Sequence, residues 1–148
     1  MDVVSTLHAP LWPGERSVVT IGAYDGVHLG HQAVIAQVRE LAARLDARSV
    51  VVTFDIHPAA IVRPESAPLL LTSTEQRLEL LAATGLDATV VVHFDQFQAE
   101  ESPESFVQRV LVDALAAKAV VVGSDFHFGK GREGNVDLLE KIGRVADF

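Results

Sequence analysis

The sequence predicts an α/β domain built as a doubly wound parallel sheet with flanking helices. Two observations carry this. Short, β-branched, nearly continuous apolar runs suit parallel strands covered on both faces. They alternate with stretches in which apolar residues recur every three or four positions, the stripe of an amphipathic helix. The chain has 148 residues, 49% of them hydrophobic and 22% charged, enough for one domain with a core of its own.

Taken in order, Ser17-Val18-Val19-Thr20-Ile21-Gly22 reads as a buried strand that stops at glycine. From Leu29 to Leu45, the residues Val34, Ile35, Val38, Leu41, Ala42 and Leu45 form a helical stripe. Ser49 to Phe54 repeats the strand signature and closes the first crossover. Asp55 to Pro68 contains three prolines and reads as a long loop with one helical turn at Pro58 to Val62. Thr72-Ser73-Thr74-Glu75 opens a helix to about Thr84, with Leu78, Leu80 and Leu81 inward and Gly85 as its stop. Ala88 to His93 is a third strand. Ser102-Pro103-Glu104 supplies a cap and a first-turn proline for a helix carrying Phe106, Val107, Val110 and Leu111 on one side. Ala119 to Gly123 is a fourth strand, followed by a glycine-rich loop and a short helix from Val136 to about Ile142. In such sheets ligands sit beyond the carboxyl ends of the strands. That selects the loops Gly22 to Gly30, Asp55 to Pro68, Phe94 to Ser102 and Gly123 to Asn135.

Composition narrows the chemistry. There is no cysteine, so disulfides, thiolate nucleophiles and Cys-based zinc sites are excluded. A net charge of −8 argues against nucleic acid or anionic membrane as a partner, and leaves any anionic ligand to local groups. No run approaches the roughly 18 apolar residues of a membrane helix. The first residues lack a basic and then apolar leader, so the expected setting is cytoplasmic.

The loop from Gly22 through Ala23, Tyr24, Asp25, Gly26 and Val27 to His28-Leu29-Gly30-His31-Gln32 carries the clearest chemistry. Gly22 and Gly26 permit tight turns, and Gly30 lets a ligand approach the helix start. Backbone amides at that start favour a phosphate. His28 and His31 are three apart, so both imidazoles can face one anion. The plainer alternative is a histidine that caps a strand and another that packs on it. Asp25 either orients a metal-bound water or closes its own turn.

These residues carry a resemblance. His28-Leu29-Gly30-His31 resembles the H-x-G-H signature of the nucleotidyltransferase superfamily. The wider segment resembles the G-x-F-D-G-V-H-x-G-H-Q of the FMN adenylyltransferase domain of bacterial FAD synthetases, with Tyr24 in place of the usual Phe. Thr53-Phe54-Asp55-Ile56-His57-Pro58 is similar to the family's T-F-[DE]-P-H-P. Val122-Gly123-Ser124-Asp125-Phe126-His127-Phe128-Gly129 is similar to its V-G-x-[DN]-F-x-F-G. The resemblance covers nearly the whole chain from Ser17 onward and implies a Rossmann-like nucleotidyltransferase sheet.

What it implies for function is transfer of AMP from ATP to FMN, giving FAD and pyrophosphate, with magnesium accompanying ATP and no metal assigned to protein side chains. His28 and His31 are the implied catalytic donors. Gly22, Ala23, Tyr24, Asp25 and Gly30 join them in binding ATP. Phe54, His57, Pro58, Arg63, Phe106, Asp125, Phe126 and Phe128 are the implied FMN site, with Lys130 and Arg132 as further phosphate candidates. Phe106 and one of the other phenylalanines also suit plain core packing. His8, His93 and His127 stand in no constellation, and Trp12 is expected to anchor an amino-terminal arm. The family also carries a later S-[ST]-x-x-[IV]-R triphosphate motif and, in bifunctional members, a covalently linked riboflavin kinase domain. Neither occurs within residues 1 to 148, so the chain reads as an adenylyltransferase domain short of that motif. Other readings are a nucleotidyltransferase with a phosphopantetheine or polyol phosphate acceptor, and a non-catalytic flavin or nucleotide binding module.

Overall fold

The computed structural model describes residues 1–148. Strands β1 (Asp2–Val4), β2 (Ser17–Ile21), β3 (Arg48–Phe54), β4 (Ala88–Val92) and β5 (Ala117–Val120) form one sheet in the order β1-β4-β3-β2-β5. Every neighbouring pair is parallel. Helix α1 (Leu29–Leu45) joins β2 to β3, and α2 (Pro58–Val62) and α3 (Thr74–Ala83) lie between β3 and β4. Helices α4 (Gln96–Ala99) and α5 (Pro103–Phe106) follow β4. The α5 chain continues as a π-helical stretch over Val107–Ala114, and α6 (Val136–Ala146) comes last.

The alternation of side chains along β2 and β3 divides the core in two. Val19, Ile21, Val50 and Val52 face Phe106, Val107, Val110 and Leu111. Val51 packs with Ile35 of α1 and Leu81 of α3, and Val18 packs with Val38 and Ala42. Helices on both faces explain why these strands read as unbroken apolar runs. Each fully buried valine contributes about 1.5 kcal/mol from apolar burial.

Several elements differ from the sequence expectation. β5 begins at Ala117 and ends at Val120 instead of spanning Ala119 to Gly123. It is an edge strand whose register against β2 shifts at Ser17/Val18, so pairing starts early and is irregular. β1 was not expected, because three residues that are mostly exposed show no pattern. On α3, Leu81 is buried and Leu78 is partly so, but Leu80 is 42% exposed and Arg77 takes the inward place. Arg77 and Leu81 are four apart and share a helix face, and Arg77 can turn inward because backbone carbonyls receive its guanidinium. α4 also lay outside the expectation; it is one turn capped by the Asp95 carboxylate. Trp12 is held by Arg48, whose guanidinium carbon lies 4.3 Å over the indole ring, as an anchored arm requires.

Candidate functional site

The sheet reverses direction at β2: the chain steps outward through β3 to β4, then crosses to β5 on the other side. A ligand crevice is expected there. A cavity of about 770 Å³ opens at this end, lined from the β2, β3, β4 and β5 loops. Across the sheet, Phe94 follows β4, Phe54 closes β3, Gly22 and Ala23 follow β2, and Phe126 and Phe128 come after β5. Small residues in the middle leave a slot between aromatic groups. Phe126 and Phe128 stack at 5.3 Å and Phe54 meets Phe94 edge-on at 5.8 Å, surfaces suited to a flat ring.

His57, Pro58 and Arg63 line the same cavity, as does Phe106. Phe106 is also 7% exposed and part of the core, so it serves both packing and lining. His57 caps α2 through Nδ1, which accepts the Ala59 amide at 3.1 Å. Burial, reinforced by Arg63 and Arg77 and opposed by Asp25, holds its imidazole below the ordinary range. Asp125 departs from the group: it is exposed and outside the cavity lining. Lys130 and Arg132 do line it, Lys130 paired with Glu100 at 3.0 Å.

The loop after β2 carries the histidines. His28 is the N-cap of α1; its Nδ1 accepts the His31 amide while His31 Nδ1 accepts the His28 amide, each at 3.3 Å. The rings stack with centroids 3.5 Å apart. With both Nδ1 atoms accepting, the neutral tautomers carry their proton on Nε2. The result is two parallel N–H donors beside the first amides of a long helix, an anion-binding arrangement. Burial and the neighbouring His28 lower the His31 pKa, against the pull of Asp25. A β-carbon at Gly30 would come within 3.1 Å of His28 Cε1, so glycine is what allows the ring to fold over the helix start.

Tyr24 supports this pair from below. Its backbone is left-handed at φ 51°, its ring lies 4.7 Å from His31, and its hydroxyl shares a 2.6 Å hydrogen bond with Thr20. Asp25 turns toward α3: its carboxylate accepts the Leu71 amide at 2.7 Å and the Thr72 amide and hydroxyl at 2.9 and 2.6 Å. Burial works against the charge, but these bonds outweigh it and hold the carboxyl below its ordinary range. Gly22 and Ala23 reach the cavity, while Tyr24, Asp25, His28, Gly30 and His31 lie along the same loop outside its lining.

Other lining groups fall inside the expected ligand loop Phe94 to Ser102 but were not singled out within it. Gln96, Gln98 and Glu101 come from the unexpected α4 and its exit. Glu101 is held by Arg109 in a bidentate pair at 2.8 and 2.9 Å, and its carbonyl accepts the Lys130 amide, tying this segment to the glycine-rich loop. There Gly129 lies against Pro103, with room for no β-carbon: one would sit 2.7 Å from the proline ring. His93 was expected to stand alone, yet it bonds Asp55 at 2.5 Å and faces Asp95 at 3.3 Å. Asp55 and His93 each follow the end of adjacent parallel strands, which was the available signal.

A doubly wound α/β sheet with a cavity at the switch point thus presents a glycine-flanked histidine pair at a helix end. The chain belongs to the FAD synthetase family, which it matches over residues 13–148. It is 41% identical over 144 residues to the bifunctional riboflavin kinase/FMN adenylyltransferase of Pseudomonas fluorescens, covering 97% of this chain and 46% of that protein. It is 37% identical over 136 residues to the protein of the same name from Escherichia coli K12, covering 92% and 44%. The match to the Buchnera aphidicola (Acyrthosiphon pisum) protein of that name is 31% identical and covers 100% and 47%. The chain therefore spans about half the length of the curated relatives it matches. A crystal structure of a protein named macrolide-efflux protein from Streptococcus pneumoniae shares the fold, with a TM-score of 0.78 at 22% identity over 95% of this chain and 47% of that one. No helix here is long and apolar enough to cross a membrane.

Proposed function

We propose that residues 1–148 form the adenylyl-transferring unit of FAD biosynthesis, joining AMP from ATP to the phosphate of FMN and releasing pyrophosphate. The observation that carries this is the stacked His28–His31 pair at the start of α1, on the loop that also floors an aromatic-walled cavity. Family membership supports it, and the relatives' names pair this activity with riboflavin kinase. We assign the adenylyltransferase half to this chain and the kinase to a linked domain.

The FMN phosphate oxygen attacks the α-phosphorus of ATP, and the bond to the bridging oxygen breaks as pyrophosphate leaves. No side chain need form a bond, so positioning and charge stabilisation supply the rate. Two Nε2–H groups and the α1 amides meet the phosphates, and each such donor is worth on the order of 3 kcal/mol in the transition state. The isoalloxazine fits between Phe54 and the Phe126–Phe128 pair, with Arg63, Lys130 and Arg132 within the lining for its phosphate. Asp125 keeps a place in the proposed flavin site only as a group at the rim. Asp25 has its carboxylate engaged by Leu71 and Thr72, so magnesium arriving with ATP is assigned to phosphate oxygens and water. A phosphopantetheine or polyol phosphate acceptor would leave the aromatic walls without a partner.

The test is incubation of the chain with FMN, ATP and magnesium, with FAD and pyrophosphate measured separately. FAD and pyrophosphate formed in equal amounts support the assignment. Saturable FMN and ATP binding with no FAD, even in a chain extended through a serine and arginine triphosphate motif, would replace it with a binding module.

A further inference from the structure

We propose that Arg77 is a positioning residue that couples the nucleotide loop to the flavin cavity, so that occupancy of one site tightens the other. This rests on the adenylyltransferase reading above. Arg77 lies on α3, and the residue is only 6% exposed. Its Nη1 donates to the Ala23 carbonyl at 2.9 Å and its Nη2 to the Phe54 carbonyl at 2.6 Å. Both receiving residues line the cavity, one following β2 on the histidine loop, the other closing β3 as an aromatic wall. The Ala23 carbonyl also accepts the Thr53 hydroxyl at 3.0 Å.

Packing alone does not account for an arginine here. Its guanidinium forms no ion pair, and its Nε is buried without a hydrogen-bond partner. Desolvation disfavours its charge, with Asp25 and Asp55 compensating through space only. An apolar side chain of similar length would avoid that penalty but take the guanidinium's hydrogen bonds from the Ala23 and Phe54 carbonyls. What the guanidinium adds is a rigid plane with diverging donors, which fixes the separation of two carbonyls on neighbouring loops. The same loop is tied a second time to the segment that leads into α3, through Asp25 and the amides of Leu71 and Thr72 just before the Ser73 cap. The histidine loop, α3 and the Phe54 wall therefore move as one piece. A ligand that orders the loop carrying His28 and His31 orders the cavity wall with it, and by linkage the reverse holds equally.

The experiment measures FMN affinity by quenching of flavin fluorescence, with and without a non-hydrolysable ATP analogue and magnesium, in the wild type and in R77M and R77K. In the wild type the analogue is expected to tighten FMN binding by about fivefold or more, within the usual range of coupling between sites. In R77M that ratio should fall close to one, while FMN and analogue each still bind alone within about threefold of wild type. R77K, which keeps the charge but only one donor centre, should fall between them. A wild type with no coupling, or an R77M with wild-type coupling, overturns the proposal. If R77M does not fold by circular dichroism, R77K decides: full wild-type coupling in R77K overturns it, and reduced coupling with unchanged melting supports it. A wild type that binds neither FMN nor the analogue sinks the adenylyltransferase reading itself, an outcome distinct from all of these.

Discussion

His28 and His31 cap one another: each Nδ1 accepts the other residue's backbone amide at 3.3 Å, beneath rings stacked 3.5 Å apart. The pair thereby completes the end of α1 with its inner nitrogens and leaves its outer nitrogens free of the cap, where the proposed function needs its phosphate donors. The capping role is structural and the binding role is the proposed one, and the two separate experimentally.

Gly30→Ala separates them. Alanine suits a helical position better than glycine by about 1 kcal/mol, but its methyl would meet His28 Cε1 at 3.1 Å and Nδ1 at 3.2 Å. Melting temperature is expected to hold or rise slightly while turnover falls by about 10²-fold as the ring is displaced. Parallel loss of both would show that the ring position is not what the glycine protects.

His28→Ala removes one donor and one cap. Turnover should fall by about 10²- to 10³-fold, whereas the lost cap should lower stability by only about 1 kcal/mol. Denaturant titration beside steady-state kinetics checks this, and matched losses would return the histidine to a packing role.

Tyr24→Phe keeps the ring beneath His31 and deletes the hydroxyl, leaving buried Thr20 Oγ without its 2.6 Å partner. A stability loss of about 1 to 2 kcal/mol is expected from the unsatisfied group. Turnover should stay within a few-fold, because the His31 contact is made by the ring. A collapse in turnover with unchanged melting would assign the hydroxyl a place in the reaction.

The bridge from His93 to Asp55 carries a pH signature. Asp55 raises the His93 pKa above 6.5, first through the hydrogen bond and then through charge, with Asp95 adding to it. Its contribution is therefore complete below 6.5 and disappears as pH rises through the raised value. Burial would raise Asp55, but His93 and the Phe94 amide prevail and hold it below 3.8, so its contribution is lost only as pH falls through that lowered value. The melting difference between wild type and His93→Gln should be largest between 3.8 and 6.5 and shrink toward alkaline pH. A difference that does not vary with pH would remove the ion pair from the explanation.

Much of this molecule is legible in the residues because the period of the apolar pattern is set by local geometry. β2, β3, β4 and α1 are long enough to display that period. β1 has three residues and α4 four, too few for any period, so only the sheet edge and the Asp95 cap define them. The glycine and histidine loop was readable because its spacing alone places both imidazoles on one helix start. Arg77 was not: arginine on a helix reads as solvent-facing, and only the carbonyls of Ala23 and Phe54, brought from distant positions, make burial tolerable. Asp125 illustrates the converse, since alternation in Asp125-Phe126-His127-Phe128 correctly puts the phenylalanines together while the acid turns outward.

All loops that build the cavity leave the carboxyl ends of parallel strands, so the opposite end of the sheet contributes nothing to its lining. Exposed positions there, such as Arg44 and Asp46 where α1 turns into β3, or Asp113 before β5, lie the full length of the strands away from the histidines. That end is where an affinity handle, a fluorophore or a surface anchor can be attached without touching the cavity or the histidine loop.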